Sequence, residues 1–309
     1  MSTPSRVARL GPLLPELQQA LLRHHGTRLL DELGPAEAEH VEVAVASGRF
    51  GASREAMDRL PALRAVVHFG VGYDSTDVAE ATRRGIVVSN TPDVLTNCVA
   101  DAAVGLVIDV LRGLSAADRF VRRGDWAAGA SFPLARQVTS ARVGVLGLGR
   151  IGLAVAYRLD AFDARISYHS RAEKPGVAYE YAASARELAA GCDVLVVTAS
   201  GGPESAHLVD AEVLAALGPE GFLVNVARGS VVDEKALVTA LAGGRLAGAG
   251  LDVFADEPRV PAELLDRDDV VLLPHLASGT AGTRSAMARL VLDNVERFLR
   301  DGTLATPIG

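Results

Sequence analysis

The chain has 309 residues, more than one compact domain usually needs, so two domains are the starting expectation. Its composition, 49% hydrophobic and 22% charged with 31 Gly and 14 Pro, is that of a globular protein with a sizeable core and many glycine-dependent turns. A formal net charge of −7 offers no electrostatic footprint for nucleic acid, and basic doublets such as Arg83-Arg84 and Arg122-Arg123 read as solvated helix ends.

The two cysteines, Cys98 and Cys192, lie far apart and neither has a Cys or His at ligand spacing. That argues against a disulfide framework and against a metal site, and two free, mostly buried thiols suit a reducing compartment. The opening "MSTPSRVARLGPLLPELQQALL" interrupts its apolar content with Gly11, Pro12, Pro15 and Glu16, unlike a signal peptide. No apolar run approaches the roughly 18 residues of a membrane span. A cytoplasmic protein without membrane contact is expected.

In chain order, "VEVAVA" (41–46) is followed by a short helix at 53–60, then "RAVVHF" (64–69), a helix after Asp74, and "GIVVSN" (85–90). Parallel strands joined by helices are the plain reading. After Thr91-Pro92 a long helix occupies 93–113, with a small, apolar face suited to packing between domains, and 122–140 reads as a loop-rich connection. A second series of near-continuous apolar runs follows: "ARVGVLGLG", "ARISYH", "CDVLVVTA", "GFLVNVA", "LAGAGLDVF" and "DVVLLPH". Such runs suit a parallel sheet covered on both faces. Helices such as "SARELAAG" and "DAEVLAALG" separate several of them, and a final helix at 281–302 has room to return to the first domain. The fold class expected is α/β, with two doubly wound parallel-sheet domains. Residues 1–92 and 281–309 form one, and 93–280 a dinucleotide-binding domain inserted into it.

Within "VGVLGLGRIGLAVAYRL" lies Gly147-Leu148-Gly149-Arg150-Ile151-Gly152, a G-x-G-x-x-G match. Alone the hexapeptide is weak, but a β run precedes it and an amphipathic helix follows. Its glycines permit a tight turn and close approach to a pyrophosphate at the helix N-terminus. An acid is expected about 20 residues on, to bind the ribose hydroxyls of NAD. Asp163 comes too early and Glu173 after the turn; the strand's end carries His169, Ser170 and Arg171 instead. None of these repels an anion, and an arginine fork grips a phosphate, so a 2′-phosphate site and NADPH are expected. The plainer alternative is an Arg171 that stacks on adenine or points into water.

Ligands of wound sheets bind beyond the carboxyl ends of the strands. Three such ends carry chemistry: Arg228 in "NVARGS", Asp252 and Glu257 in "AGLDVFADEP", and His275 in "VVLLPHLAS". Singly each reads as a surface charge or a satisfied loop histidine. At successive strand ends beyond a dinucleotide fingerprint they read as one catalytic set.

With "HFGVGYDSTDV", "GLGRIG", "NVARGSVVDE", "AGLDVFADEP" and "LLPHLASGT" in this order, the chain resembles the D-2-hydroxyacid dehydrogenase family from about Val66 to Pro307. More narrowly it resembles the NADP-using glyoxylate, hydroxypyruvate and hydroxyphenylpyruvate reductase branch, which also carries Ser-Arg after the second Rossmann strand. The resemblance implies a Rossmann cofactor domain inserted into a flavodoxin-like substrate domain, reduction of small 2-keto acids by NADPH, and a homodimer formed through the cofactor domain. It implies that Arg228 holds the substrate's carboxylate and carbonyl oxygen, that His275 donates the proton, and that Glu257 bonds the other imidazole nitrogen. The backbone N–H groups of Val71 and Gly72 would bind the carboxylate, Asp252 would meet the nicotinamide carboxamide, and Val226 would lie against the cofactor. In "SGRFGAS", Phe50 and Arg49 are candidates for a substrate wall. Trp126 is read as a dimer contact, with plain core as the alternative.

These roles cohere physically: a carboxylate beside an imidazole favours the protonated donor, and a fixed guanidinium stabilises charge developing on a carbonyl oxygen. The sequence departs from the family at Ala277, where Gly is usual, and at Gly201-Gly202, where many relatives have Leu-Thr. Two other readings stand beside the reductase: a dinucleotide-sensing regulatory protein of the same fold, and a short phosphoglycerate dehydrogenase. A sensor would not need Arg228, Glu257 and His275 together.

Overall fold

Short runs of Val, Leu and Ala bury both faces in parallel sheets with helices on either side. Two such sheets form in the computed structural model, which describes residues 5–308. The first residues of the stretch read as unlike a signal peptide lie outside that range. The chain divides into two units: one holds the described residues through Leu95 and again from Thr280, the other is Thr96–Gly279.

The first unit runs β1 (Val7–Arg9), α1 (Pro15–His25), β2 (Arg28–Leu29), α2 (Pro35–Ala38), β3 (Val43–Ser47), α3 (Arg54–Asp58), β4 (Ala65–Phe69), α4 (Val78–Arg83) and β5 (Val87–Ser89). Its strands pair in parallel in the order β2-β1-β3-β4-β5, the flavodoxin-like order. The order reverses between β1 and β3, so ligands of this sheet belong beyond the ends of those strands. Helix α1 starts at Pro15 and stops at Gly26, whose left-handed backbone returns an N–H to Leu22 O.

The second unit runs α5 (Thr96–Arg112), α6 (Leu114–Arg122), β6 (Arg142–Leu146), α7 (Arg150–Asp160), β7 (Arg165–His169), β8 (Glu180–Tyr181), α8 (Ala185–Ala190), β9 (Val194–Val197), α9 (Ala211–Leu217), β10 (Phe222–Asn225), α10 (Glu234–Ala242), β11 (Gly248–Leu251), α11 (Ala262–Leu265) and β12 (Val270–Leu272). Its seven strands are parallel in the order β12-β11-β10-β9-β6-β7-β8, reversing between β6 and β9. Helix α5 packs in this unit against α7 and β9 to β12, burying Val99, Ala103, Leu106, Val107 and Val110. It begins three residues later than the sequence pattern places it, because Asp93 takes a positive φ of 66° that no helix accommodates.

The last helix, α12 (Ala281–Asp301), is capped by Thr280 and packs on β3 and β4 of the first unit. Beyond it the chain covers the edge strand β5: Ile308 N donates to Val88 O, and Thr306 Oγ1 donates to Asn90 O. Buried Asn294 orders this return, accepting from Ala305 N and Thr306 N through Oδ1.

On β4 a histidine is fully buried. His68 Nε2 lies 2.7 Å from Thr76 Oγ1, which also accepts from Ala52 N at 2.9 Å. Burial pushes the ring's pKa down to about 4, against a weaker opposing influence of the Asp74 charge. The group is therefore neutral in the fold, and unfolding lets it take a proton below its ordinary value of about 6.5. Its contribution to stability is complete above that value and is lost as pH falls toward 4. The loss is about 3 kcal/mol by linkage. In denaturant titrations, wild type should lose about that much more stability between neutrality and pH 4 than His68→Asn does. Parallel pH profiles for the two proteins would show that His68 is not the group responsible.

Candidate active site

The turn after β6 is built by glycine. Gly147 has φ +99° and lies so close to the Ala199 backbone that a side chain has no room. A Cβ at Gly152, in the first turn of α7, would strike Gly147 O, and Thr198 Oγ1 donates to that same oxygen at 2.8 Å. Gly147 N reaches across to His169 O at 2.8 Å, tying the turn to the end of β7. Gly149 differs: a Cβ there would meet nothing within 4 Å, and it caps α7 with no side-chain partner. Open space thus lies before an uncapped helix start whose N–H groups point outward, and Leu148 beneath it is buried. This arrangement fits a dinucleotide pyrophosphate at the switch point between β6 and β9. Arg150 and Ile151 open α7 beside it.

At the end of β7 the three residues diverge. The His169 ring stacks on Tyr181 and pairs through Nδ1 with Ala182 O at 2.8 Å. Ser170 Oγ donates to Ala172 O at 2.7 Å. Its hydroxyl proton therefore already has an acceptor inside its own turn, in competition with any phosphate. Arg171 extends into water, 96% exposed, with Glu204 Oε2 at 4.0 Å from Nη1.

The ends of β10, β11 and β12 lie side by side and are laced by backbone bonds. Val226 N donates to Val197 O, Asp252 N to Asn225 O, and His275 N to Asp252 O at 2.8 Å. Buried Asn225 clamps the turn before Arg228, accepting from Ala227 N through Oδ1 and donating to Arg228 O, both at 3.0 Å. The Arg228 side chain donates to Ala227 O at 2.7 Å, and its charge reaches Glu257.

His275 stands in the left-handed region, φ +53°, an unfavourable place for a histidine that its surroundings must hold. Asp252 does so. Fully buried, it accepts from Leu276 N at 2.7 Å through one carboxylate oxygen and from Ala277 N at 3.0 Å through the other. Burial raises its carboxyl above the ordinary range, with the two N–H donors working against that shift. The resemblance points Asp252 at the nicotinamide carboxamide; in the structure both its oxygens accept from the loop that carries His275.

Imidazole and carboxylate meet: His275 Nδ1 lies 2.7 Å from Glu257 Oε2, and Glu257 Oε1 accepts from Phe254 N at 3.1 Å. Burial works to raise the Glu257 carboxyl. The bond and charge of His275, the Phe254 N–H and the Arg228 charge together outweigh it, so the group sits below its usual range and stays ionised. With Nδ1–H given to Glu257, Nε2 is the ring atom left to serve a substrate.

In the first unit, β4 ends at Phe69 beside Ser47 of β3. Val71 O accepts from Asn90 Nδ2 at 2.8 Å, while the N–H groups of Val71 and Gly72 have no partner among the described residues. Phe50, in the turn after β3, packs on Gly11 after β1, at this sheet's own reversal of strand order, and the Arg49 guanidinium lies over its ring.

Sequence reasoning missed Asn225, Thr198 and the clamping part of Asp252. Each acts through a backbone bond to a residue distant in the chain or across a turn, and no motif announces it. Among the described residues there is no group of His, Cys, Asp or Glu able to hold a metal, neither cysteine is in a disulfide, and no helix is long and apolar enough to cross a membrane.

A wound sheet with a glycine cradle at its switch point, and an imidazole–carboxylate pair near an arginine at the neighbouring strand ends, define an oxidoreductase dependent on a nicotinamide dinucleotide. The chain belongs to the D-isomer specific 2-hydroxyacid dehydrogenase family, whose NAD-binding domain matches residues 104–277. It is 49% identical to a hydroxyphenylpyruvate reductase of Plectranthus scutellarioides, over 88% of this chain and 87% of that one. It is 41% identical to a 2-ketogluconate reductase of Gluconobacter oxydans over the full length of both. Among solved structures it resembles an NADPH-dependent glyoxylate/hydroxypyruvate reductase of Sinorhizobium meliloti, crystallised with NADP and malonate. That match has a TM-score of 0.93 at 43% identity and covers 99% of this chain and 97% of the other. The resemblance read from the motifs, in both family and branch, is borne out.

Proposed function

We propose that this chain reduces small 2-keto acids (glyoxylate, hydroxypyruvate or an arylpyruvate) to D-2-hydroxy acids with NADPH. The observation that carries this reading is the 2.7 Å contact of His275 with Glu257, on strand ends next to the one bearing Arg228. The activities of the similar reductases support it.

In this reading Gly147, Gly149 and Gly152 bind the cofactor, with Val226 alongside, and the N–H groups of Val71 and Gly72 are candidates for holding a carboxylate. The bound, reduced nicotinamide supplies the hydride, which adds to the carbonyl carbon. As the C=O π pair moves onto oxygen, the Arg228 guanidinium stabilises the growing charge. His275 Nε2 gives its proton to that oxygen, and Glu257 holds the ring by Nδ1–H throughout. The cycle leaves a 2-hydroxy acid and a neutral imidazole that regains its proton from solvent. Asp252 keeps the His275 loop in place through Leu276 N and Ala277 N.

NADPH is the preferred cofactor in this reading, because β7 ends in His169 where an acid would bind the ribose of NAD, and Arg171 follows with a fork for the phosphate. A charge-assisted hydrogen bond is worth roughly 1.5–3 kcal/mol, about 10- to 150-fold in affinity. Arg171→Ala should weaken NADPH binding by about that factor and leave NADH nearly unchanged. Equal losses for both cofactors would reduce Arg171 to an adenine-stacking residue.

We also place the protein in the cytoplasm, in keeping with two cysteines outside any disulfide, of which Cys192 is buried and pushed up to about 12 mainly by that burial. A homodimer is supported by exposed Val121, Trp126 and Leu134 along one stretch of the second unit. Sedimentation at the monomer mass would remove that part of the proposal. The activity itself is tested by NADPH oxidation against a panel of 2-keto acids, repeated with NADH. Absence of turnover with every member would leave the sensing role as the better reading.

A further inference from the structure

We infer that Glu204 is a second cofactor-discriminating residue, set against Arg171 so that the 2′-phosphate binds less tightly than Arg171 alone would allow. The inference rests on the proposal that Arg171 receives this phosphate.

Strands β7 and β9 flank β6 on its two sides, so the segments that follow them border the glycine turn from opposite directions. Arg171 belongs to the segment after β7. Glu204 belongs to the one after β9, in a short 3-10 turn at Pro203–Ser205. That turn is tied down by Ser205 Oγ, which donates to Ser200 O at 2.6 Å and has Gly202 O at 3.1 Å. The Glu204 carboxylate is 88% exposed, and the guanidinium of Arg171 is its one ion-pair partner among the described residues.

His169 and Ser170 are turned to backbone carbonyls, which leaves Arg171 as the member of that trio whose donors face outward. A phosphate dianion arriving there must take Arg171 from Glu204 and then sit near a carboxylate of like sign. An exposed pair at 4.0 Å is weak, so the first effect amounts to a factor of about two to five. Repulsion across a few ångströms of water adds a similar factor, damped by salt. For NADH the sign reverses, because a ribose hydroxyl can donate to Glu204. The acid absent from the end of β7 is thus present across the turn, and it narrows the margin between the two cofactors.

The test is fluorescence titration of NADPH and NADH binding to wild type, Glu204→Gln, Arg171→Ala and the double variant at low ionic strength. Glu204→Gln should tighten NADPH by about threefold to tenfold and leave NADH unchanged or weaker. The gain should shrink with added salt and be smaller in the Arg171→Ala background. An unchanged or weaker NADPH affinity in Glu204→Gln, or an equal gain for both cofactors, overturns the inference even where Arg171→Ala behaves as proposed. An unchanged NADPH affinity in Arg171→Ala overturns the phosphate site itself, and the inference falls with it.

Discussion

Replacing His275 by Asn should cut turnover of a 2-keto acid by roughly 10²- to 10⁴-fold, the range typical of general acid catalysis, and leave NADPH affinity near wild type. The amide fits the imidazole's space and can still donate to Glu257, which accepts at 2.7 Å from Nδ1 in the native protein. What it lacks is an ionisable proton at the Nε2 position. Hydride addition would then build an alkoxide with only water to protonate it. The loop should survive the change, because Asp252 holds it through Leu276 N and Ala277 N and not through the ring. Burst and steady-state measurements with NADPH would separate chemistry from release. Near-normal turnover in His275→Asn would remove His275 from the chemistry.

Arg228→Lys should lower kcat/KM by about 10²-fold or more, although the charge is retained. The guanidinium presents a planar fork that can bond a carbonyl oxygen and a carboxylate oxygen together, whereas an ammonium is a point charge on a flexible stem. The setting is specific: Asn225 fixes the backbone on either side of Ala227, and the Arg228 side chain is itself oriented by a bond to Ala227 O. A lysine carries its three donors on a single nitrogen, which cannot keep that bond and also present a planar pair of donors to the substrate. Full catalytic efficiency in Arg228→Lys would mean that position 228 contributes charge alone.

Much of this architecture is legible in the sequence because the second sheet is buried on both faces. Its core strands are continuous apolar runs, and β10, for example, is buried at every position from Phe222 to Asn225. The glycine cradle is legible for a different reason, since Gly147 and Gly152 sit where backbone crowding forbids any side chain. The first 40 residues are harder. Strands β1 and β2 have three and two residues, too few to display a period, and they become strands only by pairing with each other and with β3. The same holds for β8, two residues on the edge of the second sheet.

The chemical residues Arg228, Glu257 and His275 announce themselves at strand ends, but their support does not. Asp252 reads in the sequence as a ligand-facing acid. Its burial, and the two N–H groups of the His275 loop that it accepts, depend on β11 and β12 lying side by side. Arg171 and Glu204 lie 33 residues apart (204 − 171) and meet because β7 and β9 both neighbour β6. Hydrophobic pattern determines which strands form, whereas such pairs follow from the order in which the strands assemble.

The most direct test of the central claim follows the hydride. Protein, glyoxylate or hydroxypyruvate, and NADPH carrying deuterium at the transferable position would be incubated, and the product isolated. With hydroxypyruvate the account predicts deuterium at C2 of a 2-hydroxy acid of D configuration, with the label lost from the cofactor in equal amount. An L product, or an unconsumed 2-keto acid beside an intact, tightly bound cofactor, would contradict it.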